Sequence, residues 1–256
     1  MIGDVIVNNV SLRQTFHVEV YGRGDVDGSE RDLEYVSVQG RSGDVVQSRK
    51  RLKNRTIAYP AGIVVGQRAN LDELRDFLAS IQGYVKISDT FRPEEYREGV
   101  PLSDIESKTS RVRAAEQFTL RFNVKPQRFL VVGDTAQTFT SIGTINNPYY
   151  QASRPLITVS IIDPSKAATF AIGAWSVRVN PSGHSGLVID SEDRRLYWGG
   201  DPMGEYTEVY KSTFDPTTWT LKTKAADYPE LVPGNSTIQL GSNVSQVEIV
   251  PRWWRN

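Results

Sequence analysis

Cysteine is absent from the 256 residues, and histidine occurs only twice, at His17 and His184. The first absence excludes disulfides, thiolate metal sites and cysteine nucleophiles, and leaves the redox compartment open. The second leaves too few ligands for a zinc site. Net charge is missing as well. Lys+Arg and Asp+Glu both number 30 and nearly balance within each half, so no net field draws the chain to nucleic acid or to an anionic membrane. No apolar run approaches the roughly 20 residues of a membrane helix. The opening MIGDVIVNNV has neither the basic region nor the apolar core of a signal peptide. The expectation is a soluble protein without an anchor.

Catalytic patterns are also scarce. Neither G-x-x-x-x-G-K-[ST] nor a G-x-G-x-x-G between strand and helix occurs; Tyr21-Gly22-Arg23-Gly24 comes nearest and feeds no helix. A serine nucleophile would sit in a G-x-S-x-G elbow, which neither Gly40-Arg41-Ser42-Gly43 nor Gly183-His184-Ser185-Gly186 matches. Carboxylates are plentiful, but a glycosidase pair is defined by a separation of about 5–9 Å that spacing along a chain does not give. The reading is therefore a protein that is not an enzyme and carries no cofactor and no metal. Arg23-Gly24-Asp25 spells a cell-adhesion tripeptide, which a glycine-rich turn produces readily by chance.

The clearest positive pattern is Glu116 to Gly133. Phe118, Leu120, Phe122 and Val124 alternate with Thr119, Arg121, Asn123 and Lys125, as in a strand with one buried and one wet face. Pro126 interrupts the ladder, so this strand closes one core before a second begins. Further strands are predicted at Ser11–Val20, Leu33–Val38 and Ile57–Val65, the last bent or at an edge because of Pro60 and Gly62. A helix is predicted over 70–82, capped by Asn70 with Glu73 three residues on, striped by Leu71, Leu74, Leu78 and Ile81 and stopped by Gly83. Arg92–Arg111 reads as a long exposed excursion at an interface. After Gly133, short β-leaning runs alternate with turns such as Asn146-Asn147-Pro148 and Pro233-Gly234-Asn235, the pattern of an antiparallel sandwich.

The fold class expected is mainly β: an N-terminal sandwich-like domain with one packed helix over 1–133, and a C-terminal antiparallel sandwich over 134–256. Two residue groups invite a functional reading. Arg49, Arg51, Lys53 and Arg55 fall on one side of a basic strand, either a phosphate stripe, a solvated face or a subunit interface balanced by a neighbour's carboxylates; the phosphate stripe lacks interleaved aromatics. All five tryptophans lie in the second half. Of these, Trp175, Trp198 and Trp219 are candidates for sugar or partner contact, against the alternative that they fill a core.

In order and spacing, four places together resemble the distal tail proteins of long, non-contractile-tailed bacteriophages. They are the Gly40-Arg41-Ser42-Gly43-Asp44 turn with its basic strand, and the helix leading into Tyr84, Val85, Ile87 and Asp89. The others are Phe118–Leu130 with its Lys125-Pro126-Gln127-Arg128-Phe129 ending, and Leu231 through Trp254. The resemblance implies a homohexameric ring at the tail tip or baseplate of a virion, made in the host cytoplasm. It implies that the first domain stacks on the tail tube protein, and that a galectin-like second domain docks tail-associated, tape-measure or receptor-binding proteins. It implies no membrane and no specific nucleic-acid partner. The competing reading is a carbohydrate-binding protein that adsorbs to the host cell wall through the second domain's tryptophans.

Overall fold

The computed structural model describes residues 2–23, 28–64, 68–102, 105, 108–110, 115–181, 183–199, 207–208 and 228–256. The chain divides into two compact units, one of residues 1–129 with Asn256, the other of residues 130–255. The division falls four residues before the expected one, because Leu130 already joins the core of the second unit. Gly133 belongs there too: a Cβ on it would lie 2.4 Å from the Trp253 backbone nitrogen.

The first unit contains β1 (Val5–Val7), β2 (Val10–Ser11), α1 (Leu12–Phe16), β3 (Glu19–Val20), β4 (Arg31–Val36), β5 (Val45–Leu52) and β6 (Arg55–Val64). It continues with α2 (Arg68–Ser80), β7 (Val85–Asp89), β8 (Glu95–Leu102), β9 (Lys108–Ser110) and β10 (Ala115–Val124), and leaves through β11 (Arg128–Leu130). The sheet runs β2-β1-β7-β8-β10-β6-β3, with β9 added on β10. Phe118, Leu120, Phe122 and Val124 on β10 are all buried. They stand opposite Ala61, Tyr59, Ile57 and Arg55 of β6, so the two strands share one core face. Leu71, Leu74 and Leu78 of α2 close that face.

Four local expectations change. Ser11–Val20 is not one strand. Ser11 caps a five-residue helix by accepting from Gln14 N, and His17 ends it at φ 55°. Asp4 fixes this turn, accepting from Ser11 Oγ at 2.6 Å and from Arg13 N at 2.9 Å; Leu12 and Phe16, one helical turn apart, point into the core. Arg92–Arg111 is not an open excursion, since β8 runs within it and pairs with β7 and β10. Its charges are absorbed by neighbours, as in Lys125 Nζ to Glu98 Oε2 at 2.5 Å. α2 starts at Arg68, two residues early, so Asn70 lies inside the first turn rather than capping it. β6, expected bent or at an edge, pairs along its full length with β10 and at Ala61 and Gly62 with β3.

The second unit contains β12 (Gln137–Phe139), β13 (Gly143–Asn147), β14 (Leu156–Ile161), β15 (Ala168–Ile172), β16 (Trp175–Val179) and β17 (Gly186–Asp190). Then follow β18 (Arg195–Gly199), β19 (Thr207–Glu208), β20 (Gly234–Leu240), β21 (Val244–Val250) and β22 (Trp254–Arg255). Its two antiparallel sheets are ordered β12-β21-β14-β17-β18-β19 and β13-β20-β15-β16. Inward residues such as Ile157, Val159, Ile172, Ile189, Ile238 and Val247 fill the space between them. β15 carries a weak strand signal, because its sequence, ATFAI, lacks the β-branched density of its neighbours.

One ion pair ties the segment between β21 and β22 to this unit's sheet. Arg252 donates from Nη1 and Nη2 to Asp190 Oδ1 and Oδ2 at 2.7 and 3.0 Å. Burial pushes the Asp190 carboxyl up. The Arg252 hydrogen bond and charge, with amides at Asp193 and Glu192, outweigh it and hold the pKa below the usual range. A depressed carboxylate contributes stability above its unfolded pKa of about 3.9 and loses it as pH falls through the folded value. Melting of the second unit is therefore expected to fall steeply with pH below about 4 in the native chain and less steeply in Asp190→Asn. Parallel slopes in the two proteins, measured by calorimetry, would remove this pair from the account.

Candidate functional site

β4 and β5 form a two-stranded sheet of their own, separate from the main sheet of the first unit. Gly40 and Gly43 in the connecting turn have φ of 80° and 82°, a region that favours glycine. Strand pairing sets Glu34 opposite Gln47, Tyr35 opposite Val46 and Val36 opposite Val45, with a register shift between Arg31 and Leu33. Lys50, at φ 55°, marks the bulge on β5.

Because side chains alternate, the hairpin has two different faces. One carries a ladder of opposite charges: Arg51 Nε to Asp32 Oδ2 at 2.6 Å, Lys53 Nζ to Glu30 Oε2 at 3.7 Å, and Arg49 Nη2 to Glu34 Oε2 at 3.9 Å. The Arg51 hydrogen bond, opposed by desolvation, holds the Asp32 carboxyl below its ordinary pKa. The other face carries Tyr35 and Val46, directly paired and 64% and 54% exposed. An isolated two-stranded hairpin is marginal in water. One that leaves an aromatic and a branched side chain uncovered has an apolar surface available for a partner.

Of the four basic residues singled out above, three lie along this hairpin and its exit, and each is matched by a carboxylate of the same chain. Arg55 stands apart. It opens β6, and its buried Nη1 lacks a hydrogen-bond partner. Reversing Arg49, Arg51 and Lys53 to glutamate places like charges across the ladder, where each exposed pair is worth about 0.2–1 kcal/mol. Self-association is expected to weaken by roughly tenfold, and to recover when Glu30, Asp32 and Glu34 are reversed in the same chain. Sedimentation velocity reads both. Unchanged association in the triple variant would reduce these charges to a solvated face.

Among the described residues, Trp198 and Trp253 belong to the second unit's core and Trp175 packs against it. Trp198 is 6% exposed and stacks on His184, with ring centroids 4.9 Å apart and planes at 4°, so it is a core residue and not an open contact. Trp175 is half-buried, edge-on to Phe170 at 5.4 Å. Trp219, like Gly24 and Asp25 of the adhesion tripeptide, lies outside the described residues. Trp253 is buried, and Trp254 Nε1 donates to Ala152 O at 2.9 Å. His17 terminates α1 and His184 is stacked on Trp198. Among the described residues, no group of three or more His, Asp or Glu could hold a metal ion, and no helix is long and apolar enough to cross a membrane.

Solved phage hub and baseplate structures share the fold of this chain. The crystal structure of the Dit protein (gp 19.1) of phage SPP1, described as a paradigm of the hub adsorption apparatus in phages infecting Gram-positive hosts, superposes with a TM-score of 0.68. The match covers 97% of this chain and 98% of that one at 14% identity. A chain of the phage P2 baseplate in its activated conformation with Ca gives 0.56, with 97% of each chain covered at 11% identity. A chain of the phage p2 baseplate activated with Sr gives 0.55 at 10% identity, covering 97% and 96%. At such identities the likeness establishes a shared fold. No family profile and no curated protein sequence matches the chain.

Proposed function

We propose that this chain is the distal-tail hub subunit of a bacteriophage, a structural protein that assembles into a hexameric ring at the tail tip. The observation that carries the reading is the match to the SPP1 Dit protein over 97% of this chain and 98% of that one, through both units in the same order. The first unit builds the ring on the tail tube, and the second docks tail-associated or receptor-binding proteins. The Tyr35/Val46 face of the hairpin, exposed in the single chain, supports self-association, since a neighbouring subunit would cover it. In a ring each subunit offers two different surfaces, and closure depends on the rotation between them. A balanced net charge suits a conduit that passes DNA without gripping it.

The reading is tested on the purified chain by mass photometry. A species of about 172 kDa, six times the 28.7 kDa chain, is expected on closure of a six-membered ring. A lone 28.7 kDa species that is retained on host cell-wall glycan would favour the carbohydrate-binding reading instead. The burial of Trp198 weighs against that alternative.

A further inference from the structure

At one end of the first unit's sheet, a cavity of about 30 Å³ is lined by Arg23, Arg92, Arg97 and Arg128 together with Asp89, Glu95 and the rings of Tyr59, Phe91 and Tyr96. Four guanidinium groups therefore face two carboxylates, and those carboxylates are already engaged. Asp89 Oδ2 accepts from the Tyr59 hydroxyl at 2.9 Å, while its Oδ1 accepts from the Phe91 and Arg92 backbone amides, each at 2.9 Å. Glu95 Oε2 lies 3.5 Å from Arg92 Nη1 and 3.5 Å from Arg128 Nη1. Arg128 also donates to the backbone oxygen of Asn256.

Arg97 pairs with Ile87 through its backbone, and its guanidinium makes no ion pair or hydrogen bond among the described residues. Burial, then the charges of Arg55 and Arg128, push its pKa down to about 10 against the weaker pull of Tyr59 and Glu95. Arg55 is close enough to act on it in this way, and its own Nη1 is buried without a partner. The buried Arg55 Nη1 without a hydrogen bond and the partly buried Arg97 are costly to take from water, and such groups are normally paired. The exposed surface of this neutral protein offers ample room for arginine, so the cluster calls for an occupant of opposite charge.

We propose that this cavity is an anion site that takes a single carboxylate-sized oxyanion through Arg97, with Arg55 and Arg128 contributing charge around it. The planar guanidinium fork matches a carboxylate in two parallel hydrogen bonds, and the volume suits a group equal to a few waters rather than a nucleotide. The oxyanion has two possible sources: a free small anion, or the carboxylate of an acidic side chain on another copy of this chain. The site stands independently of the ring proposal, because it rests only on groups within one unit.

The test uses the full chain, diluted until monomeric, with sodium formate titrated against sodium chloride at equal ionic strength. A free-anion site raises the first unit's melting temperature by about 2–5 °C near saturation. Arg97→Met removes the response without lowering the melting temperature in chloride. If formate has no effect on the monomer but Arg97→Met weakens self-association at least tenfold, with far-ultraviolet circular dichroism unchanged, the oxyanion belongs to another copy. Arg55→Met gives the same comparison should Arg97→Met fail to fold. An equal formate response in native and variant chains, or no response together with unchanged self-association, overturns the site.

Discussion

Serine at both Tyr35 and Val46 is expected to lower self-association by roughly a hundredfold or more while leaving the fold of each unit unchanged. The two side chains are directly paired on the hairpin and more than half exposed in the single chain, so their truncation removes no core contact. Covering a side chain of this size is worth about 1.5–3 kcal/mol. Association also costs side-chain ordering, and the net loss per contact is taken as about 3 kcal/mol, which corresponds to that factor. Every contact around a closed ring repeats the same defect. Sedimentation velocity should show the monomer at concentrations where the native chain is assembled. Native-like assembly of the double variant would mean that the apolar face of the hairpin is not the joint.

Phe122→Ala is expected to destabilise the first unit by about 3–5 kcal/mol, the usual cost of emptying a large buried aromatic site. Phe122 is fully buried and meets Tyr59 edge-on, with ring centroids 6.1 Å apart at 73°. It also stands opposite Ile57 across the β10–β6 ladder, so the cavity opens in the middle of the sheet's packed face, where neither strand can collapse inward. A native domain has about 5–15 kcal/mol in all. The variant should consequently show a separate, early melting transition for this unit in calorimetry, with the second unit's transition unmoved. A single transition shifted as a whole would contradict two independently packed cores. A shift below about 1 kcal/mol would mean the site refills.

Alternation was the most readable feature of the chain. Phe118 to Val124 announces β10 because one face meets only apolar neighbours, and the Leu71/Leu74/Leu78 stripe announces α2 for the same reason at helical spacing. What escaped depends on partners distant in sequence. Leu12–Phe16 fits a strand or a helical turn equally well until Asp4 accepts from Ser11 and Arg13. β8 looks like loop because Arg97 and Glu98 are charged, and only the fold supplies Lys125 beside Glu98. The carboxylates that balance Arg49, Arg51 and Lys53 sit some 15–23 residues away on β4 and just before it, and the alternate positions of Glu30, Asp32 and Glu34 are the sequence signal for that cross-strand ladder. The arginine cavity had no sequence signal at all. Arg23, the Arg92/Arg97 pair and Arg128 come from three separate segments, gathered only by the closing of the sheet.

The most direct test of the central claim, that this is a ring-forming tail hub subunit, is a set of class averages from negatively stained images of the purified full-length chain. The account predicts closed rings with six-fold symmetry that disappear in the Tyr35→Ser/Val46→Ser variant. Isolated single chains at every concentration, or closed assemblies of some other symmetry, would contradict it.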